Sequence, residues 1–134
     1  MTSYFDSSVI VSSMLDETKS SEARSLITDA NVRMTSPLSL LETRRAIKFA
    51  HHSIEPKRMR RNWNNTMNTF FYVGGSNEMW HRAADIADLT GVKSLVAIHL
   101  AAAAFLKVEG LQFVTFDKKQ ALAARSIGLT VVGA

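Results

Sequence analysis

Thr2-Ser3-Tyr4-Phe5-Asp6-Ser7-Ser8-Val9-Ile10-Val11 is the stretch on which the fold turns. Thr2 to Phe5 is a short run closing on Asp6, and the residues after it read as a strand giving way to a helix. Asp6 thus stands at the carboxyl end of a strand. The alternation continues outward from there. From Ser20, the spacing of Ala23, Leu26, Ile27 and Ala30 is helical; Asn31 to Ser36 is short and extended and stops at Pro37. A helix is expected from Pro37, carrying Leu38, Leu41, Arg45 and Ile47 to about His52, with Glu42 about one turn inside it. Glu55-Pro56 opens an arginine- and asparagine-rich helix that ends before Tyr72-Val73-Gly74-Gly75. Ser76 begins a helix stopped by Gly91, and Ser94 is expected to cap the apolar helix running to Lys107. Gln112 to Phe116 is strand-like and stops at Asp117, Lys118 to Ser126 is helical, and Thr130 to Val132 follows Gly128 as a last short strand.

Short β-branched or aromatic runs alternating with helices imply right-handed crossovers and a parallel sheet covered on both faces, hence an α/β class. With 134 residues, 46% hydrophobic and 21% charged, the composition is that of one domain over residues 1–134 with a real core. The absence of cysteine removes disulfides, thiolate–zinc sites and cysteine nucleophiles together, and it suits a reducing compartment; the cytoplasm is expected. Met1 to Asp6 lacks the basic and apolar regions of a secretory signal, so no export is expected. The most apolar stretch, Ser94 to Leu106, is shorter than the roughly 20 residues a membrane span requires and reads as a buried helix.

The net charge of +4 is unevenly distributed. Between Thr43 and Phe70, the residues Arg44, Arg45, Lys48, Lys57, Arg58, Arg60 and Arg61 face Glu55 alone, giving +6 there and −2 elsewhere. Such a segment suits a phosphate backbone, because cations that neutralise phosphates release condensed counterions; an isolated basic run would instead read as a solvated helix face. A site chemically suited to phosphate tips the balance. Asp6 and Asp117 follow strands whose ends should lie side by side, and Glu42 enters the helix after the second strand. In isolation the two aspartates read as helix N-caps, Asp117 with Gln120 at capping-box spacing, and Glu42 reads as a partner of Arg45. Together, their like charges would raise each other's pKa unless a cation neutralises them. Carboxylate oxygens without histidine or cysteine density point to Mg²⁺ or Mn²⁺.

At these residues the sequence resembles a family. Tyr4 to Val11, Ser36-Pro37-Leu38-Ser39-Leu40-Leu41-Glu42-Thr43-Arg44-Arg45-Ala46, Leu95-Val96-Ala97-Ile98-His99-Leu100-Ala101 and Val114-Thr115-Phe116-Asp117 are similar, in order and spacing, to the signature segments of PIN domains, especially VapC-type toxins. The resemblance implies a three-layer α/β/α sandwich with a central parallel sheet and Mg²⁺- or Mn²⁺-dependent ribonuclease activity. It further implies homodimerisation and a VapB-like antitoxin that blocks the site. By the same resemblance Asp6, Glu42 and Asp117 are the catalytic and metal-binding acids. One departure stands out: Val96 occupies the position of the family's third acidic residue, and valine cannot ligate a cation.

Ser7 and Thr115 adjoin the acids and are candidates to orient a carboxylate or a metal-bound water. Arg44, Arg45, Lys57, Arg58, Arg60 and Arg61 are candidates for the RNA backbone, supplying little sequence choice. Trp63 and Phe70-Phe71 interleave with this stretch as candidates for base stacking or for protein packing. His99, on an apolar helix, is expected to be a hydrogen-bonded core residue. His51 and His52 are expected at the surface, as are Asp85 and Asp88. Three functions follow in order: a VapC-like endoribonuclease; an impaired PIN domain, motivated by Val96, that binds RNA or an antitoxin; and a purely structural partner whose carboxylates are caps.

Overall fold

The computed structural model describes residues 1–50 and 54–134; His51 and His52 lie outside the described residues. Twelve elements alternate along them. They are β1 (Thr2–Phe5), α1 (Ser7–Met14), α2 (Ser20–Asp29), β2 (Val32–Thr35), α3 (Leu38–Phe49), α4 (Pro56–Met67), β3 (Phe71–Tyr72), α5 (Asn77–Thr90), α6 (Ser94–Phe105), β4 (Gln112–Val114), α7 (Lys118–Ser126) and β5 (Thr130–Val132). The five strands form one sheet in the order β3-β2-β1-β4-β5. Every pairing is parallel, with Tyr4 opposite both Met34 and Phe113.

Because side chains alternate across a strand, the sheet feeds two cores. Tyr4 and Phe113 stack with ring centroids 5.6 Å apart on the face covered by α5, α6 and α7, where Ala97, Leu100, Ala101 and Ala124 complete the packing. Phe5 and Val114 point the other way, into the core closed by α1 to α4; Phe5 meets Phe70 edge-on at 5.6 Å. The result is the expected α/β/α sandwich around a parallel sheet. Helix α6 has no charged residue and is buried over much of its surface, as a helix apolar on all sides should be. No single helix among the described residues is long and apolar enough to cross a membrane.

Two local expectations change. Lys93, not Ser94, is the N-cap residue of α6, and it supplies no side-chain hydrogen bond; Ser94 is already helical. Trp63 and Phe70 are not available for stacking. Met59, Trp63 and Met67 fall at i, i+4 and i+8 on α4 and are all buried. Trp63 also donates from Nε1 to Thr43 Oγ1 at 2.8 Å, fastening α4 to α3. Of that aromatic group Phe71 alone is exposed, at 65%.

Candidate active site

Asp6 follows β1 directly, its backbone N–H donating to Val114 O at 3.1 Å, so the turns after β1 and β4 lie side by side. Its side chain caps α1: Oδ1 accepts from Ser8 N at 3.1 Å, Ser8 Oγ at 2.7 Å and, more weakly, Val9 N at 3.4 Å. Oδ2 accepts from Thr115 Oγ1 at 2.7 Å. The carboxylate is 3% exposed. Burial raises its pKa above the ordinary aspartate range, against the opposing pull of the Thr115 and Ser8 hydrogen bonds and of His99.

Two hydroxyls stitch Asp6 to the segment holding Asp117. Thr115 Oγ1 accepts from Asp117 N at 3.0 Å while donating to Asp6. Ser8 Oγ does the same with Phe116 N at 3.1 Å. Asp117 itself is exposed and caps α7, its Oδ1 accepting from Gln120 N at 2.9 Å. Since the Asp117 N–H is taken by Thr115, the reciprocal half of a capping box does not form, and Gln120 Oε1 is buried without a partner.

Glu42 sits in the second turn of α3; among the described residues it pairs with His99, not with Arg45 as the solvated-face reading would have it. Its Oε1 accepts from Ser7 Oγ at 2.5 Å and from His99 Nε2 at 2.7 Å. On the other side of the ring, His99 Nδ1 lies 2.8 Å from Tyr4 Oη. A carboxylate can only accept, so Nε2–H donates to Glu42, while Nδ1 is hydrogen-bonded to the Tyr4 hydroxyl. Tyr4 is held protonated well above the ordinary phenol range by burial, then by the charges of Asp6 and Glu42. Burial pushes Glu42 up, but its hydrogen bonds from His99 and Ser7 and the charge of His99 outweigh that and bring its pKa below the ordinary glutamate value. His99 is the buried, hydrogen-bonded residue expected of it, and it also belongs to the site. Tyr4, Ser8 and His99 are the members that residue-type reasoning passed over.

Val96 and Asp117 line one groove of about 790 Å³ between α7 and the α5–α6 turn, together with Lys93, Lys119, Gln120 and Leu122. The acids are therefore linked in pairs, Asp6 with the Asp117 backbone through Thr115 and Asp6 with Glu42 through the adjacent Ser7. Among the described residues, no group of three or more histidine, aspartate or glutamate side chains gathers closely enough to hold a metal ion. Both Asp6 oxygens are engaged by hydrogen-bond donors, Glu42 leans on His99, and the remaining corner is apolar. As placed, this donor set does not fit a tightly held divalent cation.

The basic segment divides around α3. Residues two apart on a helix point in roughly opposite directions, so Arg44 faces away from Glu42. It lies over the Trp63 ring, 4.8 Å from the centroid, and with Lys48 and Arg60 lines a cavity of about 410 Å³ between α3 and α4. Lys57, Arg58, Arg60 and Arg61 are exposed on α4. Among the described residues none of the seven cations is in an ion pair, the ion pairs there being Lys19–Glu22 and His99–Glu42.

The five-stranded parallel sheet covered by helices on both faces is a PIN-like α/β/α sandwich. The chain belongs to the PIN domain family, whose model matches residues 3–126. PIN domains are in general metal-dependent nucleases that bind RNA. No curated protein matches the chain significantly.

Proposed function

We propose that this PIN domain is of the VapC toxin type: it binds RNA through the unpaired cations of α3 and α4, works in the cytoplasm as a homodimer, and is held in check by a VapB-like antitoxin. Its hydrolysis of RNA phosphodiester bonds is impaired at Val96, so that binding outlasts cleavage. The observation that carries this reading is the apolar Val96 in the groove it shares with Asp117, with no metal-holding group of three or more acids or histidines among the described residues. A second reading, favoured by a buried carboxylate at adjacent strand ends, keeps full Mg²⁺- or Mn²⁺-dependent endoribonuclease activity on Asp6, Glu42 and Asp117, with Ser7 and Thr115 orienting them.

Single-turnover cleavage of RNA in Mn²⁺ separates the two. Under the first, Val96→Asp accelerates cleavage at least tenfold, which is about 1.4 kcal/mol of barrier, and Asp6→Asn abolishes the gain. Equal rates for the wild-type and Val96→Asp proteins, both lost on Asp6→Asn, would establish the second reading instead.

A further inference from the structure

The face of α3 that carries Glu42 leads to an exposed aromatic ring. Glu42, Arg45 and Phe49 fall at i, i+3 and i+7, which places them on one edge of the helix, Phe49 about 10.5 Å along the axis from Glu42. Phe49 is 69% exposed, a large apolar surface to leave in water. Two cations attend it: the Arg45 guanidinium lies 5.7 Å from the ring centroid and the Lys48 ammonium 6.0 Å. Neither has a carboxylate partner among the described residues. An exposed aromatic ring beside unneutralised cations offers a nucleic acid both things it needs, a π-face for an unpaired base and charge for the phosphates beside it.

We propose that Phe49 is a base-stacking residue and Arg45 a phosphate contact, forming a substrate track that begins at Glu42 and runs along the outer edge of α3. The track rests on the RNA-directed reading above and adds to it the position at which a base is gripped. Lys48 joins this edge to the α3–α4 cavity that it lines with Arg44 and Arg60.

The test measures binding rather than cleavage, using the full chain in EDTA and a fluorescein-labelled, unstructured RNA of about 12 nucleotides. Phe49→Ala should weaken binding about tenfold with an unchanged melting temperature, and Phe49→Trp should restore it with tryptophan fluorescence quenched by the RNA. Arg45→Ala should weaken binding for all sequences and reduce the salt slope by about one. If the wild type binds the RNA and Phe49→Ala binds equally well, the stacking assignment falls while the RNA reading stands. Should that variant also sediment as a monomer where the wild type is a dimer, the ring is a protein contact and the proposal is overturned. If the wild type binds no RNA even at low salt, the RNA reading itself fails and the track with it.

Discussion

Asp6 accepts hydrogen bonds on both carboxylate oxygens, yet burial still raises its pKa, whereas Glu42, tied to His99 and Ser7, ends with a lowered one. The two acids therefore contribute to stability with opposite pH dependence. Asp6 costs stability above its raised folded-state pKa; the cost shrinks as pH falls below that value and is gone only below the unfolded-state pKa. Glu42 contributes stability that is present above its unfolded pKa and is lost as pH falls through its lower folded-state value. Asp6→Asn imitates the protonated acid, so its melting temperature relative to wild type should be more favourable at pH 8 than at pH 4. Glu42→Gln should behave in reverse, destabilising by about 1–3 kcal/mol at pH 8 through the weakened bonds to His99 and Ser7, and converging on wild type once the pH falls below its lowered folded-state pKa. Thermal unfolding across pH checks both signs, and parallel curves for the two variants would contradict the assignment. The acids were legible in the sequence because each stands where a strand or helix is punctuated. Ser8 and His99 were not, since their partners Phe116 and Glu42 are 108 and 57 residues away and no local pattern announces them.

Elements were readable wherever the chain changes period abruptly. Asp6, Ser76 and Asp117 cap the helices they precede, and Gly91, at φ +74°, ends α5 in the left-handed conformation that glycine tolerates. Helix α4 was harder, because its arginines and asparagines hide a three-residue apolar stripe. Charge dominated the reading, and Trp63 looked like a surface aromatic beside cations. In the fold, Met59, Trp63 and Met67 form the seam against α1 and α3, and the cations take the outside. Trp63→Ala should thus cost about 3–5 kcal/mol in denaturant unfolding, the range for deleting a buried large aromatic. Trp63→Phe should cost less, while leaving the Thr43 hydroxyl without its Nε1 donor. A Trp63→Ala protein as stable as wild type would return this residue to the surface and restore it as a stacking candidate.

At the scale of the molecule, the strand order decides which charges meet. Placing β4 next to β1 sets the Asp6 and Asp117 turns side by side, and α6 puts Val96 in the groove with Asp117 while His99, about one turn on, reaches Glu42. The topology was readable from the alternation of strands and helices, but the consequence of Val96 depends on how the acids are already satisfied. The Glu42 carboxylate accepts from His99 and Ser7, and that of Asp6 from hydroxyls and amides, so the fold tolerates these acids without a cation. A carboxylate introduced at position 96 would have no such support, and like charge in a half-buried groove is costly unless a cation binds. Val96→Asp is therefore expected to melt below wild type in EDTA and to gain stability as Mn²⁺ is added. At a metal concentration 100 times its dissociation constant, the gain is about 2.7 kcal/mol, or roughly 5–10 °C for a chain of this size. Wild type, with its acids already satisfied, should shift by much less over the same titration. An equal shift in both proteins would mean that Asp6, Glu42 and Asp117 capture the ion without help, and the impairment assigned to Val96 would have to be withdrawn.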